Sequence, residues 1–426
     1  MQIAAVEAFL LSCPLPEPLR LRFWGGERTI LKRDAMLVRV TTTSGLRGYG
    51  PGPAHERAAR EIREVIAPAL IGKDPRKARL LDLRVDPETL KTFRSVEIAL
   101  LDLIGRHEGC AVSELIGGRA RDRIKLYGSA GMYMPPELYA EEAAAVQAMG
   151  FSAYKMRPAL GPEEDLRTTE LMRKAVGKGF GLMLDAHAWW RMGDRSYGFD
   201  QVACVARELA RYELTWLEEP LPPEDHAGYR RLRELGHVPV ATGEHEPDEA
   251  GFSDLISRGA TDYVQMDVCC QGGFAMGDRV VRRLADTNIR FAFHSWGTAL
   301  EVIAAAHFGI CHPASVVEWL EYPCYQNAGR AGMYPFALAD EILKDPLDVR
   351  GGELGVPKGP GLGVEVDESV LERYPFIPGP WSYFRIDSPP ETVAVTGDHS
   401  VKWVDAPERS LAASADGGKA AGSNVA

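Results

Sequence analysis

The sequence predicts an α/β fold: an eight-stranded (β/α) barrel preceded by a smaller α+β domain. Three observations predict it. From about residue 124, short apolar segments alternate with amphipathic helical stretches. There are eight such segments, the number that closes a parallel sheet on itself. All but the first end in a charged or titratable residue, 23 to 33 residues after the last, which is the length of one βα unit. The 426 residues, 45% hydrophobic, suffice for one large core and a smaller one.

Residues 1–124 open with the strand-like "IAAVEAFLL" and "DAMLVRVTTTSGLRGYG", the second broken at Gly45 as in a hairpin. Helical patterns follow. In "SVEIALLDLIGRHEG" Val96, Leu100 and Leu103 recur at helical spacing and Gly109 ends the turn. Residues 125–344 carry the barrel strands "RIKLYGSA", "FSAYKMR", "FGLMLDAH", "LTWLEE", "VPVATGEH", "TDYVQMD", "IRFAFHS" and "SVVEWLE". Between the second and third, "GPEEDLRTTELMRKAVGKG" has Pro162 and acids at its start and glycines at its end, the punctuation of a helix. An open doubly wound sheet would place a Gly-rich phosphate loop after its first strand, and "YGSAGMYMPPE" is not one. Residues 345–390, with "GVPKGPGLGVEVD", read as an extended segment returning to the first domain. The small, polar, Gly-rich residues 391–426 read as a disordered tail.

The net charge of -11 argues against a nucleic-acid or anionic-membrane partner, since a surface of that sign repels phosphate. No apolar run has the length of a membrane span, and the opening lacks the basic start of a signal peptide. Seven cysteines, without a CxxC pair, fit a reduced, cytoplasmic protein.

The residues ending the strands are Lys155, Asp185, Glu218, Glu244, Asp267, His294 and Glu321. Seven in phase converge on the C-terminal rim, where barrels of this kind carry their sites. Asp185, Glu218 and Glu244 come from successive strands. Three carboxylates on one arc repel unless a cation binds, and hard oxygen ligands suit Mg²⁺. Strand alternation lets only one of Glu218 and Glu219 face this arc. We assign Glu218 as the ligand and turn Glu219 outward, to a neighbouring strand or to support a ligand.

Asp267 and His294 sit on adjacent strands, and a carboxylate beside an imidazole makes a general base. His187, two residues past Asp185, is either a second acid or a donor to that ligand carboxylate. Lys155 and Arg157 share a strand face, to hold a substrate carboxylate or to oppose His294. Arg157, charged at any working pH, is the binder of the two. Glu321, with Glu318 as its rival, is placed to donate to a substrate oxygen. Trp189, Trp190 and Trp296 either wall the pocket or pack in the core.

Together these segments resemble the enolase superfamily, in its mandelate racemase subgroup, over nearly the whole chain to about residue 390. "SVEIALLDLIGRHEGCAVSELIGG" is similar to the helix signature of the family's capping domain. "KMR" stands where a KxK motif occurs, "LMLDAH", "WLEEP" and "TGEH" match the ligand strands, and "MDVCCQGG" with "FHS" matches the Asp–His dyad. The resemblance implies a modified (β/α)7β barrel with a capping domain completed by the C-terminal segment, and a homo-oligomer. It implies Mg²⁺ on Asp185, Glu218 and Glu244, a dyad of Asp267 and His294, and Glu321 assisting the substrate carboxylate. Within the subgroup the motifs look closest to the acid-sugar dehydratases, those of L-rhamnonate and D-galactonate. Arg157 in place of the second lysine disfavours a racemase with lysine on the opposite face.

The expected activity is therefore dehydration of an aldonate or aldarate to a 2-keto-3-deoxy acid. His294 removes the C2 proton, a divalent ion stabilises the enediolate as it forms, and the C3 hydroxyl leaves with a proton from His187 or His294. Epimerisation or cycloisomerisation is the alternative, and a binding protein with a dead site is the reading outside enzymes. Further substrate contacts are expected from Trp24, His245 and Trp296. By the same resemblance "RFWGGERT" and "GYGPGPAHE" lie over the barrel mouth, with Gly25 and Gly26 giving the first the mobility of a lid.

Overall fold

The structure, a computed structural model, describes residues 1–325 and 335–395 and the backbone of 400–403. Two long apolar-patterned strands, β1 (Ile3–Phe23) and β2 (Gly26–Thr42), pair as an antiparallel hairpin, and β3 (Arg47–Gly52) adds to β2 after the turn at Gly45. Helix α1 (Pro87–Glu108) lies against β3. Its start is fixed by Asp86, whose carboxylate accepts from the Glu88 and Thr89 amides, and by Pro87 at the first helical position.

The barrel follows. Strands β4 (Arg123–Met132), β5 (Ala153–Arg157), β6 (Gly181–Asp185), β7 (Trp216–Glu218), β8 (Val240–Thr242), β9 (Tyr263–Met266), β10 (Arg290–Phe293) and β11 (Val317–Pro323) are parallel neighbours in chain order. Pairing of β11 with β4 closes the ring. The connecting helices are α2 (Pro136–Ala148), α3 (Pro162–Val176), α4 (Phe199–Leu209), α5 (His226–Leu235), α6 (Glu249–Ser257), α7 (Gly273–Arg283) and α8 (Ala299–Gly309), which gives the (β/α)7β order.

One buried side chain from each strand fills the ring: Tyr127, Ala153, Met183, Trp216, Ala241, Tyr263, Ala292 and Trp319. The bulk of three aromatic contacts within the ring is accommodated by alanines on other strands, so the interior is solid. Chemistry is thereby confined to the rim. Among the described residues no helix is long and apolar enough to cross a membrane.

After the barrel, β12 (Val349–Arg350) turns into β13 (Glu353–Gly355), which lies antiparallel to β4. The chain then crosses back to the cap. Buried Asp102 of α1 accepts from the Tyr49 amide (2.8 Å), the Leu362 amide (2.7 Å) and Arg106 Nε (2.9 Å), so one carboxylate ties β3, α1 and the returning segment. A buried acid with three donors is far less costly than one left bare.

Two expectations are corrected here. Residues 391–395 are ordered strand: β14 (Ser382–Asp387) pairs with β2, β15 (Pro390–Val395) pairs with β14, and β16 (Ser400–Trp403) pairs with β15. The alternating, β-branched "ETVAV" takes this hairpin despite the polar composition downstream, and the rest of the tail lies outside the described residues. The glycines of "RFWGGERT" do not supply a mobile lid. A Cβ on Gly26 would stand 1.9 Å from the Arg385 carbonyl oxygen, and one on Gly25 would stand 2.6 Å from Met192 Cβ. They are glycines because other chain segments press on them.

Candidate active site

Each strand of the barrel delivers its last residues to one rim, below a cavity of about 1320 Å³ roofed by the cap. Asp185, Glu244, Asp267 and His294 line it, with His187, Arg157, His245 and Trp296. The "GYGPGPAHE" loop contributes Gly52 to His55.

Asp185, Glu218 and Glu244 end β6, β7 and the turn after β8, and one oxygen of each lies within 4.8 Å of the others. Glu218 is fully buried. Its Oε1 accepts from Lys155 Nζ at 2.6 Å and its Oε2 from Trp216 Nε1 at 2.9 Å, so the interior ring of the barrel itself holds the ligand. Burial, with Asp185, Glu244 and Glu321 nearby, pushes its carboxyl up to about 8 against the pull of Lys155. Asp185 is also buried, but His187, Lys155 and Arg157 outweigh that and hold its carboxyl well below the ordinary range.

This donor set fits a small divalent cation. Three hard oxygens are gathered from adjacent strands, and their mutual repulsion is what a bound cation would relieve. Carboxylate oxygens of this kind suit a small hard ion such as Mg²⁺. Asp185, Glu218 and Glu244 are the residues that would hold it. A second grouping, Glu219, Glu244 and His245, shares Glu244.

Glu219 resolves how two adjacent acids end one strand. Its backbone turns left-handed (φ 42), and its buried carboxylate accepts from His245 Nδ1 at 2.6 Å. Beyond that ring, Arg191 Nη2 donates to His245 Nε2 at 2.8 Å. His245 therefore reaches the cavity wall held between Glu219 and Arg191.

His294 Nδ1 is 3.1 Å from Asp267 Oδ2, and its Nε2 is 3.4 Å from Glu244 Oε2. Burial alone would disfavour the imidazolium, but Glu244 and Asp267 raise its pKa to about 10. Asp267 Oδ1 accepts from the Cys269 and Cys270 amides, which aims the other oxygen at the ring. Gln271 sets the register of both neighbours. Its Oε1 accepts from the Asp267 amide, and its Nε2 donates to the Gly243, Glu244 and Glu246 carbonyls. Sequence reasoning quoted Gln271 only within "MDVCCQGG" and did not assign this positioning role.

His187 Nδ1 lies 2.7 Å from Asp185 Oδ1, and burial lowers its pKa although Asp185 opposes this. The ring donates from Nδ1 to the ligand carboxylate, which leaves Nε2 for the cavity. It follows β6 while His294 follows β10, four staves away in a ring of eight, so the two imidazoles face each other across the mouth.

Other expectations change. Lys155 is wholly buried and does not line the cavity. Its Nζ contacts Glu218 at 2.6 Å, Glu321 at 3.0 Å and Asp185 at 3.5 Å, so in this structure it is a cation that holds carboxylates together behind the rim. Glu321 is equally sealed. It accepts from the Ser295 amide at 2.9 Å. Its rival Glu318 bonds Tyr263, Arg290 and, at 4.0 Å, Lys125, all near strand starts and away from the rim. Arg157 does reach the cavity. Its Nε lies 3.4 Å from Asp185, its Nη1 donates to the Ala130 carbonyl, and its guanidinium stacks 4.0 Å from the Trp296 ring.

Trp24 is half exposed, does not line the cavity, and presses its ring on Gly161 because the hairpin turn carries it outward. Trp190 lines the wall and Trp189 is core, its Nε1 donating to buried Asp165. Sequence reasoning missed Arg28, Arg33, Glu301, Trp381 and Phe384, which also face the cavity.

With this geometry in hand, the comparisons are specific. The chain is 30% identical over 390 residues to a D-galactarolactone cycloisomerase of Agrobacterium fabrum, covering 88% of this chain and 99% of that one. It is 28% identical to a D-gluconate dehydratase of Thermoproteus tenax, over 80% of this chain and 69% of the other. A crystal structure of a putative mandelate racemase from Bordetella bronchiseptica RB50, complexed with 2-oxoglutarate/phosphate, superposes with a TM-score of 0.77 at 28% identity, covering 88% and 98%. Residues 138–370 match the enolase C-terminal domain-like family and residues 11–117 the mandelate racemase/muconate lactonizing enzyme N-terminal domain. This chain belongs to the enolase superfamily, in its mandelate racemase subgroup.

Proposed function

We propose that the protein is a Mg²⁺-dependent hydro-lyase that dehydrates a sugar acid to a 2-keto-3-deoxy acid. The observation that supports this most is the placing of the Asp267–His294 pair beside a trio of carboxylates at the floor of one cavity. Asp185, Glu218 and Glu244 would hold the Mg²⁺, which would supply positive charge to stabilise a substrate carboxylate losing its C2 proton. In its neutral form, which positive charge on Glu244 would favour over the imidazolium, His294 takes the C2 proton, and Asp267 fixes its tautomer and stabilises the ring once it is charged. Arg157, pinned on Trp296, steadies a carboxylate or hydroxyl of the bound acid. The C3 hydroxyl then departs with a proton, from His294 if it leaves on the same face and from His187 if it leaves on the opposite one.

Relatives named as dehydratases of gluconate, galactonate and mannonate support loss of water. The cycloisomerase relative favours a second reading, isomerisation of a sugar-acid lactone by the same proton abstraction. Incubating an acid-sugar library in D₂O with Mg²⁺ separates them by NMR. Dehydration yields a keto acid with solvent deuterium at C3. Ring opening or closure without a carbonyl product, or exchange at C2 alone, contradicts the proposal.

A further inference from the structure

We propose that the cap-side half of the cavity is a second carboxylate subsite centred on Arg28, so that the substrate is a dicarboxylic sugar acid. This rests on the acid-sugar reading above and narrows it. Arg28 sits on β2, is 9% exposed and lines the cavity. Its Nη1 lies 3.6 Å from Met132 Sδ at the end of β4. Met132 is in register with Arg157 on β5, and Arg157 Nε stands 3.4 Å from the ligand carboxylate of Asp185. One side chain and one strand step, about 5 Å, therefore separate the Arg28 guanidinium from the residues expected to bind the reacting end. That is the scale of an extended six-carbon acid.

Three further facts bear on this wall. Arg28 and Arg33 both stand over the Trp381 ring, at 5.1 and 4.9 Å from its centroid, and Arg28 also stands over Phe384. The rings orient the guanidinium planes, and a guanidinium fork matches the geometry of a carboxylate. Next, Tyr133 lies behind the wall, beside Met132; it is 5% exposed and its hydroxyl finds no hydrogen-bond partner among the described residues, with Arg28, Arg157 and Arg191 acting on it against burial and Asp185. Finally, Trp381 and Phe384 come from the C-terminal strands, outside both family-matched spans, so family membership does not supply this wall. Arg33 also lies in the field of Asp34 and Glu301.

The test uses matched pairs, each aldarate against the aldonate of the same configuration, in the gluco, galacto and manno series. Members of a pair differ only in a C6 carboxylate or hydroxymethyl. Calorimetry with the full-length His294→Asn variant in Mg²⁺ reads binding without turnover. In at least one series the aldarate should bind tenfold or more tighter, and adding Arg28→Met should remove that preference, with Arg28→Lys intermediate. Equal affinity within every pair, a preference for the aldonate, no binding at all, or a preference that survives Arg28→Met overturns the subsite. The wild-type comparison keeps the test decisive if Arg28→Met fails to fold. Selective aldarate binding, with no sugar acid consumed by the wild type, would uphold the subsite and sink the dehydratase reading.

Discussion

Binding of Mg²⁺ at neutral pH should expel a proton, and the structure gives the amount. Glu218 is buried beside Asp185, Glu244 and Glu321, and its carboxyl is pushed up to about 8. At pH 7 such a group is about 0.9 protonated, and at pH 9 about 0.1. A ligand carboxylate must be ionised, so Mg²⁺ binding at pH 7 releases about 0.9 proton and apparent affinity falls nearly tenfold per unit below pH 8. Calorimetric titration in buffers of differing ionisation enthalpy reads the proton count directly. His294 is a second source, because its imidazolium faces Glu244 at 3.4 Å. Release that persists in His294→Asn and disappears in Glu218→Gln assigns the proton. A titration with no proton release at pH 7, and an affinity flat from pH 6.5 to 8.5, would refute this description of the carboxylate cage.

Removing the base by His294→Asn should lower turnover by about 10²–10⁴-fold, and Asp267→Asn should shift the acidic limb of the pH–rate profile downward, since Asp267 helps raise the imidazole. Stability without metal should fall as pH rises. Glu218 and His294 both bind protons more tightly folded than unfolded, so their contributions are lost from about 4.5 to about 8 and from 6.5 to about 10 respectively. Denaturation at pH 6, 7.5 and 9 checks the sign. Lys155→Met leaves buried Glu218 and Glu321 without their cation and should cost about 3–5 kcal/mol in metal-free denaturation, with excess Mg²⁺ restoring part of it. Gly26→Ala drives a methyl into the Arg385 carbonyl and should loosen the β2–β14 pairing, read as faster proteolysis between residues 376 and 395.

The barrel and the composition of its rim were legible because each rests on a short-range rule. A strand four residues long ends where its apolar run ends, and the next end lies one βα unit on, so Asp185, Glu218, Glu244, Asp267 and His294 announce themselves by position. Depth at the rim follows no such rule. Lys155 and Glu321 are in phase with the others, yet both face inward below the opening, because the charges of the trio draw Lys155 down. Glu219 escaped the period-two argument because its left-handed backbone ends the alternation. The cap side of the cavity was least legible. Arg28 and Trp381 are more than 350 residues apart in the chain and meet only through pairing of β2 with β14. Alternation in "ETVAV" was visible, but the polar composition around it outweighed five residues.

The central claim is that oxygens from β6, β7 and the turn after β8 close on one divalent ion beside His294. An anomalous difference map from a crystal soaked in Mn²⁺ tests it most directly. The account predicts a single strong peak bounded by the Asp185, Glu218 and Glu244 carboxylates. An empty cage, or a peak held by Glu219 and His245 instead, would contradict it.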